Sequence, residues 1–228
     1  MNAVKPFDNQ EGSKNAHNIA LPKNGPFFQY VVVGAKGRGK STIVLGLLND
    51  HFKRYYDNIY FFSTSAHLDD KYSELIKELQ TENKYFDKFS EKSIALILDA
   101  MENYNDDNPQ ARNLIIFDDM ISQLPRATDR DSLFNKLIVG NRHRRCDLWL
   151  TTQQFRKLNT LVRANIDIIS LFPTSNLKEL KAYSEELNVN KKEFEEYLCM
   201  IENDRHDFLT VNFMNGKPIF FKNFSLLN

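Results

Sequence analysis

The run Gly34-Ala35-Lys36-Gly37-Arg38-Gly39-Lys40-Ser41-Thr42 fits the spacing G-x-x-x-x-G-K-[ST], and the chemistry of that spacing is phosphate binding. Glycines let the backbone curl with its N–H groups pointing inward around a β-phosphate, and a helix starting at the end of the loop adds the positive end of its dipole. In this pattern residues 34–42 hold the nucleotide, Lys40 contacts the β- and γ-phosphates, and Ser41 meets Mg²⁺.

A second constellation is Asn113-Leu114-Ile115-Ile116-Phe117-Asp118-Asp119, four apolar residues followed by two carboxylates, which is a Walker B arrangement. Asp118 would hold Mg²⁺ directly or through water, because a hard cation on phosphates takes oxygen ligands and keeps several waters. Asp119 is then placed to orient or to deprotonate an attacking water. Gln153 follows Leu148-Trp149-Leu150-Thr151-Thr152 at a strand end, where a neutral amide can sense a γ-phosphate or position water. Asn141-Arg142-His143-Arg144-Arg145 places a basic cluster directly before that strand. An arginine lent by a neighbouring subunit stabilises a phosphoryl transition state by about 10³ to 10⁵. The other readings of the cluster are a solvated basic loop or one that contacts DNA phosphates. His143 has no partner at metal-ligand spacing and reads as structural.

The elements needed to position these groups are legible. Gln29–Val33 is β-branched, bounded by Gly25-Pro26, and predicts a buried strand, while Ser41 to Phe52 predicts a helix with Ile43, Val44, Leu47 and Leu48 on one side. Further strands are expected over Asn58–Thr64, Asn113–Phe117, Asp147–Thr152 and Ile166–Phe172, the last stopped by Pro173. Helices are expected over Asp69–Thr81 (Leu75, Ile76 and Leu79 inward), Glu91–Asn103 (Ile94, Leu96, Ile97, Ala100 and Met101), Ala127–Asn141, Leu177–Leu187 and Lys191–Glu202. Asn105-Asp106-Asp107-Asn108-Pro109 reads as a break. Asn215-Gly216 marks a hairpin between Asp207–Phe213 and Pro218–Lys222. Strands alternating with helices predict an α/β fold: a mostly parallel central sheet flanked by helices, with a C-terminal antiparallel hairpin. The polar residues 1–25 read as a flexible arm, residues 26–228 as one domain, and 176–224 as its appendage.

The bulk numbers restrict the alternatives. At 228 residues and 42% hydrophobic the chain suits one domain with a sizeable core. Thirty basic and thirty acidic residues give a formal net charge of +0, so no global field draws the chain to nucleic acid or anionic membrane, and any DNA contact must be local. No apolar run is long enough to span a membrane and the N-terminus has no secretory core. Cys146 and Cys199 are far apart, without metal-type spacing, and read as reduced core residues.

Taken in order, Gly34 to Ser41, Ile59-Tyr60-Phe61-Phe62-Ser63, Leu114 to Asp119, Asn141-Arg142-His143, Leu150-Thr151-Thr152-Gln153 and Leu161-Val162-Arg163-Ala164-Asn165 resemble the FtsK–HerA superfamily of DNA-pumping ATPases, and most closely the poxvirus-type genome-packaging ATPases of large DNA viruses and virophages. The resemblance covers residues 27–175. It implies a RecA-like P-loop core, Mg-ATP hydrolysis between subunits of a homo-oligomeric ring (pentamer or hexamer) around double-stranded DNA, docking on a capsid or portal-vertex component, and residence at the assembly site in host cytoplasm or in the virion. It also implies that Lys40 and Ser41 bind ATP and Mg²⁺, that Asp118 is the metal residue, that Gln153 is the strand-end glutamine, and that Arg142 is the trans-acting finger, with Arg163 in reserve. Asp119 stands where bacterial relatives usually carry glutamate. A plasmid or cellular DNA pump shares this chemistry, and a nucleotide-gated assembly protein with little turnover is the alternative of another class.

Overall fold

The computed structural model describes residues 20–23, 25–201 and 204–227. Its strands are β1 (Gln29–Val33), β2 (Asn58–Ser63), β3 (Tyr85–Phe86), β4 (Asn113–Asp118), β5 (Cys146–Thr152), β6 (Ile168–Leu171), β7 (Leu209–Asn212), β8 (Ile219–Lys222) and β9 (Ser225–Leu226). The helices are α1 (Lys40–Gly46), α2 (Ser73–Thr81), α3 (Glu91–Asp107), α4 (Leu133–Gly140), α5 (Thr160–Ala164), α6 (Leu177–Glu186) and α7 (Lys191–Ile201). The described strands form one nine-stranded sheet in the order β3-β2-β4-β5-β1-β6-β7-β8-β9. It is parallel from β3 to β6 and antiparallel from β6 to β9.

Every residue of β1, β4 and β5 is buried because helices cover both faces, and a strand wrapped on two sides is apolar along its middle, with the buried polar residues Gln29, Asn113, Asp118, Asp147, Thr151 and Thr152 kept toward its ends. Tyr30, Val32, Ile116 and Trp149 pack against α1, the π-helical turn Leu47–His51 that continues it, and α2. Val31, Val33, Phe117, Leu148 and Leu150 pack on the other face against α3, α4, α6 and α7. The strand β5 lies between β1 and β4, so the ends of these three strands sit side by side at the carboxyl edge of the sheet. This is the α/β class expected, including the antiparallel C-terminal strands, which here extend the central sheet itself.

Several boundaries differ from the expectations, each for a local reason. The segment over Ala127–Asn141 is helical only from Leu133, because Ser132 caps it: its hydroxyl accepts from the Asn135 N–H at 3.2 Å and donates to Glu91 at 2.7 Å. Helix α3 runs on through Asn105, Asp106 and Asp107 and stops at Asn108, whose backbone (φ −127°, ψ 85°) has left the helical region that the following proline disfavours. Of the apolar residues that suggest α3, Leu96 and Ala100 face solvent, since the buried stripe is Ile94, Ile97, Leu98 and Met101. Cys199 is exposed, unlike buried Cys146, because α7 turns Phe194, Leu198 and Ile201 to the core. The two-residue strand β3 carries no periodic signal, and Tyr85 and Phe86 are only half-buried. Asn215-Gly216 belongs to a longer loop between β7 and β8, with Gly216 at φ 79°. Most of the arm expected over residues 1–25 lies outside the described residues, and its end is core: Ala20 and Leu21 are buried beside Phe28.

Candidate nucleotide site

The chain leaves β1 at Gly34, whose backbone N–H bonds the Thr152 carbonyl at 3.0 Å and thereby extends the parallel ladder one residue into the loop. Phe172, at the end of the neighbouring β6, presses on the same point: a Cβ at Gly34 would come within 2.5 Å of its ring, so only glycine fits. Gly37 and Gly39 follow with φ of 76° and 113°, conformations that side chains with a Cβ rarely adopt. The loop then enters α1 at Lys40, and Ser41 and Thr42 lie in its first turn. The Lys40 ammonium is buried against the loop, donating to the Gly34 carbonyl at 2.9 Å and lying 3.7 Å from Asp119.

Asp118 ends β4 in register with Ser63 of β2 on one side and Thr151 of β5 on the other. Its carboxylate accepts from the Thr151 hydroxyl at 2.6 Å and from the Ser63 hydroxyl at 3.2 Å, which fixes the group in one rotamer. Burial pushes this carboxyl above the usual range, the Thr151 hydrogen bond opposes the shift, and the charge of Asp119 adds to it. Asp119 sits in the left-handed region at φ 50°, a strained conformation for a residue with a Cβ. The strain has a visible result: its carboxylate swings to Lys40 and to the Gln153 amide, which donates to it at 3.1 Å, while the Asp119 N–H bonds Thr151 Oγ1 at 3.1 Å. Thr151 thus holds both carboxylate residues.

The structure therefore brings the loop 34–42, Lys40, Ser41, Asp118, Asp119 and Gln153 to one edge of the sheet. Arg142 is elsewhere. It precedes β5 and so stands at the opposite, amino-terminal edge, where it donates to Asp167 at 2.7 Å and to the Phe27 carbonyl at 3.1 Å. Its side chain is half exposed. Arg163 is paired with Glu186 at 2.9 Å, and Arg145 donates to the carbonyls of Asn105 and Asn108 at the end of α3.

The donor set suits Mg²⁺. Ser41, Asp118 and the hydroxyls around them are all oxygens, and a cation that keeps most of its waters needs few protein ligands. Among the described residues no cluster of three His, Cys, Asp or Glu exists that would suit a cation bound by protein side chains alone. Tyr72 supports the same fit. Its hydroxyl is buried beside Ser41 and Asp118 and adds a further oxygen to the site. Burial, with the nearby Asp118 charge, pushes that hydroxyl up and keeps it a donor. Nothing in the sequence singles out Tyr72; Ser63 and Thr151 lie in runs that carry the family resemblance, but only the pairing register reveals that they hold Asp118.

The sequence is similar to known proteins along most of its length. The profile of the poxvirus A32 protein matches residues 21–220. Comparison with curated protein sequences finds no match. Among solved structures, B204, the DNA-packaging ATPase from Sulfolobus turreted icosahedral virus, superposes with a TM-score of 0.66 at 17% identity over 89% of this chain and 99% of that one. The genome-packaging NTPase B204 from Sulfolobus turreted icosahedral virus 2, in complex with ATP-γS, gives 0.63 at 18% identity over 89% and 100%. The cytoplasmic domain of the type VII secretion ATPase EccC from Thermomonospora curvata gives 0.53 at 15% identity, over 89% of this chain and 26% of that one. At these identities the superpositions speak for the fold. The family match over residues 21–220 makes this chain a member of the poxvirus A32 family.

Proposed function

We propose that the chain is an ATP-driven double-stranded DNA translocase that packages a viral genome into a preformed capsid, acting as a homo-oligomeric ring that hydrolyses Mg-ATP between subunits at the assembly site in host cytoplasm. The observation that carries the reading is the convergence of Asp119 on Lys40 and Gln153 beside the phosphate loop. A nucleotide switch needs a metal carboxylate; a hydrolase needs a second one aimed at water. B204 of the Sulfolobus viruses, named for DNA and genome packaging, shares this fold.

In this reading the amides of residues 35–41 and the Lys40 ammonium bind the phosphates, and Thr42 lies beside them on α1. Ser41 and Asp118 would hold Mg²⁺, which when bound neutralises phosphate charge. Asp119 accepts the proton of a water held by the Gln153 amide, and the Lys40 ammonium, 3.7 Å away, holds the Asp119 carboxylate toward the loop. Asp119→Asn is expected to keep nucleotide binding and to slow hydrolysis by about 10² to 10⁴, since an amide bonds water but takes no proton. Single-turnover phosphate release against ATP-γS binding measures the two separately. If Asp118→Asn shows that pattern and Asp119→Asn does not, the two roles are reversed.

Double-stranded DNA needs a local cationic surface on a chain of zero net charge. The loops that leave Asp119 and Gln153 supply one: Arg126, Arg130, Arg156 and Lys157 are exposed on them. Asn159 donates to the Pro125 carbonyl at 2.9 Å and ties the two loops together, and Arg126 and Lys157 line the same cleft. Loops anchored at the hydrolytic carboxylate and the γ-phosphate amide are where turnover can move DNA. Affinity should be independent of sequence and fall steeply with salt, and Arg126→Ala with Lys157→Ala should lower the salt slope by about one for each DNA phosphate deprived of its cation. An unchanged slope would remove these loops from the DNA surface, and binding that ignores ionic strength would contradict the pump. DNA-stimulated phosphate release tests the function as a whole.

A further inference from the structure

The turn Asp204–Asp207, which leads into β7, grips the outer side of the phosphate loop. His206 Nδ1 lies 2.9 Å from the Arg38 carbonyl and Arg205 Nη2 3.4 Å from the Gly37 carbonyl. In return Arg38 Nη1 donates to the Arg205 carbonyl at 3.2 Å. The grip is anchored. The Asp204 N–H bonds the Asp207 carboxylate at 3.0 Å and the His206 N–H bonds Asp204 at 2.8 Å, so the turn is closed on itself. Asp207 is paired with Lys222 of β8 at 3.2 Å and accepts from the Asn223 amide at 3.0 Å. Behind the turn, Phe208 packs on Phe172, the ring that closes over Gly34.

A peptide group carries its N–H and its C=O on opposite sides, so a loop that points its amides at a phosphate must point its carbonyls away from it. In this chain the carbonyls of Gly37 and Arg38 already face outward to donors. Glycine loses more backbone freedom on ordering than any other residue, and the loop holds Gly37 and Gly39 in left-handed conformations. A restraint that orders such a loop before the ligand arrives raises affinity by lowering the ordering cost of binding.

We propose that Arg205 and His206 are positioning residues for the nucleotide: they hold the Gly37 and Arg38 carbonyls outward, so that the C-terminal strands set the affinity of the phosphate loop. The proposal rests on the phosphate-loop reading above. It makes residues 204–208 part of the nucleotide site rather than of an appendage, and it assigns the Nδ1–H tautomer to His206.

The test compares wild type with Arg205→Ala/His206→Ala and with His206→Asn, whose amide can replace the Nδ1–H donor. For the double alanine variant the ATP-γS dissociation constant and the KM for ATP should rise about tenfold, the effect of one to two modest hydrogen bonds, while kcat stays within about twofold. His206→Asn should recover most of the His206 share. Amide hydrogen exchange of residues 35–39 should quicken in the nucleotide-free double variant, and in wild type ATP-γS should protect residues 204–207 together with the loop. Unchanged affinity and exchange in the double variant, or no protection of 204–207 in wild type, overturns the proposal. Failure of wild type itself to bind ATP-γS overturns the phosphate-loop reading and this proposal with it.

Discussion

Replacing Lys40 with alanine is expected to reduce ATP turnover by at least roughly 10²- to 10³-fold, the range seen when one preorganised group that stabilises transition-state charge is removed. The geometry argues for the upper end. Lys40 is the buried cation of the site, held between the Gly34 carbonyl and Asp119, whereas Lys36 is exposed and Arg38 reaches out to the Arg205 carbonyl. With Lys40 gone, Asp118 and Asp119 are left facing a polyphosphate without it, and like charges in a partly buried site repel strongly. Nucleotide affinity should fall as well, because the ammonium meets the β- and γ-phosphates in the ground state too. The protein should still fold, since α1 is anchored by Ile43 and Val44 in the core and alanine is a good helix former. Phosphate release, ATP-γS binding and a melting curve check the three statements, and turnover near that of wild type would remove the loop from the chemistry.

Much of this site is legible in the sequence because its parts are local. A β-branched run, a glycine loop and an amphipathic segment are contiguous, and so are four apolar residues followed by Asp118 and Asp119. What cannot be read is what depends on register between distant strands. Ser63 and Thr151 hold Asp118 only because β2, β4 and β5 are parallel neighbours with Ser63, Asp118 and Thr151 level with one another. Both lie in runs that carry the family resemblance, yet nothing in either residue's own surroundings marks this role. Tyr72 is similar: periodicity assigns residues 69–81 to a surface helix, but the first turn, Asp70–Tyr72, is a separate 3₁₀ turn that drives the ring inward to Ser41. Helix lengths depart from expectation where side chains outvote propensity. Glu91 caps the Ser132 turn from another element, and the residue before Pro109 ends α3 later than the polar run suggests. The Arg205–His206 turn is invisible for the same reason as Ser63, since it is about 170 residues away from the loop it touches.

The second large effect belongs to Arg142, and the fold limits what it can do. At the amino-terminal edge of the sheet it cannot serve the phosphate loop of its own chain, which is at the carboxyl edge, so any part in hydrolysis is played in a neighbour's site. In its own chain it braces the start of β1 through the Phe27 carbonyl and Asp167. These two roles predict different results. As a brace, Arg142→Ala lowers the melting temperature and affects each subunit alone. As a trans finger, it leaves ATP-γS binding intact and slows hydrolysis by about 10³-fold or more. Mixing decides: a Lys40→Ala subunit keeps its finger and an Arg142→Ala subunit keeps its loop, so interfaces of one orientation join an intact loop to an intact finger. Each variant alone should be nearly inactive while mixed rings regain a measurable fraction of wild-type turnover. A loss of stability inside a single subunit has no route to that rescue. If rings shown to contain both subunits stay inactive, Arg142 is the brace, and Arg144, Arg145 and Arg163 are the next candidates.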